Sequence, residues 1–122
     1  MKAVFVETPW FTRYWEDYFA SDKEYSAFQA YLMENPEAGD VVQGCGGIRK
    51  VRWGDPKRGK GKRGGIRILY MRVPAIAHFV ILVAYDKDET DDLTTEQRAV
   101  WAELARTAAE ELTKKVKGRK HE

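Results

Sequence analysis

The sequence predicts an α+β fold, with a mostly antiparallel, twisted sheet of about four to five strands, two helices near the N-terminus and one at the C-terminus. Three observations carry that expectation. Before residue 35, two helix-start signals are each followed by aromatic residues at spacings of three and four. Between residues 41 and 85, runs of Val, Ile, Leu and Tyr are separated by glycine-rich corners. After an acidic stretch, a further helix-start signal opens a long polar segment with one apolar stripe. The order strand, two helices, four strands, helix suggests helices segregated to one face of the sheet.

Ala3 to Glu7 (AVFVE) alternates and is rich in Val and Phe, as a strand does. Thr8-Pro9 then starts a helix, Thr as N-cap and Pro at the first helical position, where its missing N–H costs nothing. Phe11, Tyr14, Trp15, Tyr18 and Phe19 form one aromatic stripe on it. Ser21 to Glu24 has the Ser-x-x-Glu form of a capping box and opens a second helix carrying Tyr25, Phe28, Tyr31 and Leu32, which Asn35-Pro36 ends. Val41 to Gln43 reads as a short strand, followed by a corner of Gly44, Gly46 and Gly47 around Cys45. From Ile48 to Trp53 the two-residue period sets Ile48, Lys50 and Arg52 on one side and Arg49, Val51 and Trp53 on the other.

The loop 54–65 (GDPKRGKGKRGG) holds five glycines and five basic residues and no apolar anchor. Ile66 to Val73 and His78 to Tyr85 are the strongest strands, joined by a turn at Pro74-Ala75. The second is apolar almost throughout, as a central strand covered on both faces would be. Thr94 to Gln97 is another capping box, opening a helix over about 95–113 with Val100, Trp101, Leu104, Ala108 and Leu112 on its stripe, fraying by Gly118. Residues 114–122 then form a basic tail on what reads as a single domain, 1–122.

A chain of 122 residues buries enough surface to need neither disulfide nor metal, and one cysteine excludes an internal disulfide. The longest apolar run, Phe79 to Tyr85, is seven residues, far short of the ~20 that span a bilayer, and the start lacks a signal-peptide pattern. A cytoplasmic protein without membrane contact is expected. The formal charge of +2 hides a segregation. Between Ile48 and Arg72, ten basic residues face the single acid Asp55, a charge of +9 that leaves −7 for the rest. Such a concentration attracts polyanions and binds them in a salt-sensitive way; the plainer alternative is a loop that is basic for solubility.

Little else in the sequence supports chemistry. His78 and His121 are the only histidines and nothing beside them has metal-ligand spacing, so no metal and no cofactor are expected. Ser21 and Ser26 sit at helix starts, which leaves no serine triad. Gly44-Cys45-Gly46-Gly47 precedes a strand and lacks the Gly-Lys-Ser/Thr ending of a phosphate loop. The basic strands remain. If they are neighbours, Lys50, Arg52, Arg67 and Lys87 converge at one end of the sheet on a phosphodiester, where cations stabilise developing charge and a crowded lysine is a candidate base. Catalysis and plain nucleic-acid binding stand level on these residues alone.

Several stretches in order resemble the RelE/ParE toxin superfamily, especially its HigB-like and RelE-like branch: Asn35-Pro36-x-x-Gly39, Gly46 to Trp53 (GGIRKVRW), Gly59 to Gly65 (GKGKRGG), Ile66 to Tyr70 (IRILY), and Tyr85-x-Lys87 ahead of Asp92-Leu93-Thr94. The resemblance implies a RelE-like fold and a ribosome-dependent endoribonuclease toxin of a type II toxin-antitoxin system. Such a toxin cleaves translated mRNA in the ribosomal A site without metal, by attack of the ribose 2′-hydroxyl on the adjacent phosphate. It implies Lys50 as candidate base, Arg52 as its paired basic position, Arg67 as the arginine that stabilises phosphate charge, and Lys87 as a basic residue near the leaving oxygen. Arg49, Lys57, Arg58, Lys60, Lys62 and Arg63 would bind RNA, and Tyr85 would stack on a base. The implied partners are the ribosome, mRNA and a cognate antitoxin, of HigA-like helix-turn-helix type, through which alone operator DNA is met. A ParE-like inhibitor of DNA gyrase and a non-catalytic RNA- or ribosome-binding protein are the alternatives.

Overall fold

A computed structural model of the chain describes residues 3–19, 21–54, 65–86 and 94–120. Strand β1 (Val4–Glu7) leads into helices α1 (Pro9–Tyr18) and α2 (Asp22–Glu34). Strands β2 (Asp40–Val41), β3 (Arg49–Trp53), β4 (Ile66–Val73) and β5 (His78–Asp86) follow, and α3 (Thr95–Lys120) closes the order. The five strands form one sheet in the order β1-β5-β4-β3-β2. Three of its four pairings are antiparallel and β1 runs parallel to β5, so the fold is α+β around a mixed sheet.

The helices do not share one face of the sheet. α1 and α2 bury Phe11, Phe19, Phe28 and Leu32 against Val51, Ile66, Ile68, Tyr70, Phe79 and Ile81. α3 covers the other face, where Ala105 meets the layer of Leu69, Met71, Val73, Val80 and Leu82. The reason lies in β4 and β5, which are apolar on both sides and need cover on both. The stripe of α3 is Trp101, Ala105, Ala108, Ala109 and Leu112, rotated from the expected one, and Val100 is 58% exposed. Small alanines let the helix lie close to the sheet, and that close packing sets its rotation more than the volume of Val100 does. The helix also runs on through Gly118 to Lys120, well past the expected end near 113. Lys114, Lys115 and Lys117 favour the negative end of the helix dipole and offset the ~1 kcal/mol cost of an interior glycine.

Local chemistry explains the helix starts. The Thr8 hydroxyl accepts from the Phe11 N–H at 3.2 Å, and Ser21 accepts from Glu24 N–H at 3.2 Å. At α3 the box is reciprocal: Thr94 Oγ1 accepts from Gln97 N–H at 3.1 Å, and Gln97 Oε1 accepts from Thr94 N–H at 2.9 Å. After α2 the chain turns at Gly39, whose φ is +84°. A Cβ there would lie 2.9 Å from Val51 Cα and closer still to the Lys50 carbonyl, so this turn is seated directly on the β3 backbone. Tyr70 donates its hydroxyl to Ala38 O at 2.6 Å and fixes the turn from beneath. At the far end of the sheet a 3-10 turn, Pro74–Ile76, joins β4 to β5, and His78 Nδ1 sits 2.7 Å from Ile76 O, a geometry that needs the proton on Nδ1.

The end of β5 departs from regular alternation. Leu69 pairs with Val83 but Tyr70 pairs with Ile81, so Leu82 is an extra residue in β5, a β-bulge. Before it, Phe79 and Ile81 face α1 and α2; beyond it Ala84 does, while Val83 and Tyr85 face α3. The bulge thus reverses the facing pattern of the end of β5. Its carbonyl is taken by the Thr8 hydroxyl at 2.5 Å, and Thr8 N–H donates to Ile81 O at 3.1 Å.

Candidate functional site

Three of the residues singled out in the sequence lie in one row across the sheet. Arg52 of β3 pairs in register with Arg67 of β4, and Arg67 pairs with Tyr85 of β5. Side chains directly opposite in neighbouring strands have Cβ atoms about 4.5–5.5 Å apart. Arg52 and Arg67 are therefore adjacent, and the bulge at Leu82 sets Tyr85 on their face. Lys50 lies two residues before Arg52, on the same side, opposite Leu69 of β4 and Asp40 of β2.

The row grades from buried to exposed. Arg67 is only 4% exposed, Tyr85 and Lys50 are half-buried, and Arg52 stands in solvent. Burial, and next the Arg52 charge, pull the Arg67 guanidinium below its ordinary value, while Tyr85 acts in the opposite direction. Arg67 nonetheless stays a cation at physiological pH, since arginine titrates so high. Two adjacent guanidiniums repel, and an anion seated between them relieves that repulsion. A tetrahedral phosphate, with its charge spread over several oxygens, suits two such forks.

The other expected site residues fall elsewhere. Arg49 faces α2, where its guanidinium donates to Glu37 O at 2.9 Å and Gly39 O at 3.2 Å, bracing the turn behind β3. Arg72 borders a groove with Tyr31, Asn35 and Glu37 at the end of α2. Among the described residues, the cations between Ile48 and Arg72 are thus divided between the two faces of the sheet. Lys57, Arg58, Lys60, Lys62, Arg63 and Lys87 lie outside the described residues. Cys45 is fully buried, its thiol is raised above the ordinary value by burial, and it donates to Arg98 O at 3.4 Å, a packing role.

Sequence reasoning missed Arg98. It belongs to the first turns of α3 and, with Lys50, lines a cavity at the side of the row. A signal was present: Arg98 precedes Trp101 by three residues and Ala105 by seven, so it continues the buried stripe of the helix toward the sheet.

Among the described residues no group of three or more His, Cys, Asp and Glu side chains is placed to hold a metal ion. None of the described helices is long and apolar enough to cross a membrane. No known protein-family model matches the chain.

Proposed function

We propose that this protein is a RelE-like toxin of a type II toxin-antitoxin system, a cytoplasmic endoribonuclease that cleaves translated mRNA on the ribosome. The observation that carries the reading is the in-register row Arg52–Arg67–Tyr85 with Lys50 beside it. Two guanidiniums, one of them nearly withdrawn from water, form a preorganised cradle for the negative charge that builds on phosphorus as a 2′-hydroxyl attacks. Arg67 supplies the largest part, because water competes least where the side chain is buried. The unprotonated amine of Lys50 takes the proton of the 2′-hydroxyl, whose oxygen bonds to phosphorus as the P–O5′ bond breaks; the leaving oxygen takes up a proton, and the products are a 2′,3′-cyclic phosphate and a 5′-hydroxyl. The half-buried ring of Tyr85 offers a face on which a base next to the scissile bond stacks. Lys87, one position beyond β5, is assigned to the leaving oxygen on the strength of the resemblance.

The resemblance covers residues from about 35 to 94 and supplies the ribosome and mRNA as partners, with a helix-turn-helix antitoxin that neutralises the toxin. The test is a toeprint of a translated mRNA in a purified translation system. The wild-type protein should produce discrete cuts in the A-site codon that disappear when ribosomes are omitted. Intact mRNA together with inhibition of DNA supercoiling by gyrase would replace this reading with the ParE-like one. Ribosome binding without cuts would leave a non-catalytic binding protein.

A further inference from the structure

Lys50 also lines a cavity of about 200 Å³, together with Asp40, Val41, Val42 and Gln43 around β2 and Arg98 from α3. Arg98 is held there by more than its own side chain. The reciprocal capping box at Thr94 and Gln97 fixes the first turn of α3, and the Cys45 thiol donates to the Arg98 carbonyl, tying that turn to the corner between β2 and β3. Arg98 of the helix and Lys50 of the sheet thereby line one cavity beside the Arg52–Arg67 row.

Spacing gives the cavity a meaning. Lys50 and Arg52 are two residues apart on one strand, about 6.6–6.8 Å along it. That is close to the distance between successive phosphates of a single-stranded nucleic acid. With one phosphate between Arg52 and Arg67, the strand reaches its next phosphate at the level of Lys50, and Arg98 lines the same cavity as Lys50. We infer that the cavity is a second phosphate subsite, in which Arg98 binds the backbone phosphate neighbouring the scissile one. This rests on the reading of the Arg52–Arg67 row as a phosphodiester site and extends it by one nucleotide. The attacking ribose spans the two phosphates, which puts its 2′-hydroxyl beside Lys50. Arg98 would thus bind the substrate on one side of the ribose and orient it toward the base.

Among the described residues that line the cavity, the charged ones are Lys50, Arg98 and Asp40, and Asp40 stands exposed opposite Lys50 in register. Asp40 opposes an incoming phosphate, so its neutralisation should strengthen binding. That sign is specific to an anionic ligand.

The experiment measures binding of a fully 2′-O-methylated, uncleavable single-stranded oligoribonucleotide by fluorescence anisotropy across a salt series. Arg98→Gln should weaken binding about tenfold at low salt and reduce the slope of log affinity against log salt by about 0.7, the value for one fewer phosphate neutralised on a single strand. Arg98→Lys should recover most of the affinity and the slope, and Asp40→Asn should bind several-fold more tightly than wild type. An unchanged slope in Arg98→Gln, no recovery in Arg98→Lys, or weaker binding by Asp40→Asn overturns the subsite. Arg52→Gln separates the two levels of inference. If it lowers the slope and Arg98→Gln does not, the subsite alone is wrong; if neither does, or wild type binds without salt dependence, the phosphodiester reading falls as well.

Discussion

Arg67→Gln separates a catalytic cradle from a merely basic surface. Gln keeps an N–H donor and much of the side-chain length but removes the charge. Because Arg67 is 4% exposed, water replaces the lost charge poorly. Loss of one preorganised donor from such a position costs about 10²–10³ in rate, or roughly 2.7–4 kcal/mol. Arg52 stands in solvent, and water partly replaces it, so Arg52→Gln should cost only about tenfold, near 1.4 kcal/mol. Folding should respond differently. Arg67→Gln removes a desolvated charge and its repulsion with Arg52, which offsets the hydrogen bonding lost, so stability should move by no more than about 1 kcal/mol. Toeprint cleavage rates and urea unfolding of the same preparations give both numbers. On the proposed reading, in which both groups act on one phosphate, the double variant should lose less than the product of the single losses. Cleavage by Arg67→Gln within threefold of wild type, or a loss no larger than that of Arg52→Gln, would refute the reasoning.

Other consequences concern the scaffold. Thr8→Ala removes the α1 cap, worth ~1 kcal/mol, and strands the Leu82 carbonyl, worth about as much again; urea unfolding should show a loss of roughly 2 kcal/mol that Thr8→Ser largely avoids. Gly39→Ala drives a Cβ into the β3 backbone at positive φ and should cost roughly 2–4 kcal/mol by the same measurement, with cleavage falling because Lys50 is displaced. Burial pushes the Tyr70 hydroxyl up to about 12, above the ~10 of an unfolded chain, so the folded state holds that proton more tightly. Its contribution is complete below pH ~10 and is lost as pH rises toward about 12, at about 1.4 kcal/mol per pH unit. Tyr70→Phe should flatten the fall in stability over that window by this amount, measured by urea unfolding across the alkaline series. Tyr25, also raised by burial and by its bond to Glu7, keeps its own share of the slope.

The readable parts of this chain are those where one residue type answers one local demand. Thr8-Pro9 and Ser21 to Glu24 each signal an N-cap whose hydroxyl accepts the expected backbone N–H, and Thr94 to Gln97 signals a box that is formed in both directions. The alternation from Ile48 to Trp53 correctly sets Lys50 and Arg52 apart from Val51 and Trp53, because a two-residue period has only two outcomes. What escapes such reading depends on distant partners. Arg49 looks like one more cation in a basic run, yet its guanidinium is spent on Glu37 and Gly39 carbonyls, acceptors supplied by a turn ten and twelve residues away. The rotation of α3 differs from the expected one because Val100 is more hydrophobic than Ala105, whereas close packing on the sheet rewards the smaller side chain. Arg98 is hidden in the sequence because a cation in a helix's first turns reads as surface until the stripe is phased.

Tyr85 shows how far the site depends on a feature with no sequence signature. Counted along a regular strand from Phe79 and Ile81, Tyr85 belongs on the face of α1 and α2, across the sheet from Arg67. The extra residue at Leu82 moves it to the arginine face, and nothing in FVILVAY marks Leu82 as the residue to bulge. The bulged residue is held from 74 residues earlier, where Thr8 follows β1 and turns its hydroxyl onto the Leu82 carbonyl. The same oxygen that caps α1 therefore anchors the irregularity that puts an aromatic ring beside the two guanidiniums. Thr8→Ala, with no atom near the row, should accordingly reduce cleavage under conditions where the protein remains folded, and Thr8→Ser should not. A folded Thr8→Ala protein with wild-type cleavage would show that the sheet holds the bulge unaided, through the packing of Leu82 and Val83 under α3.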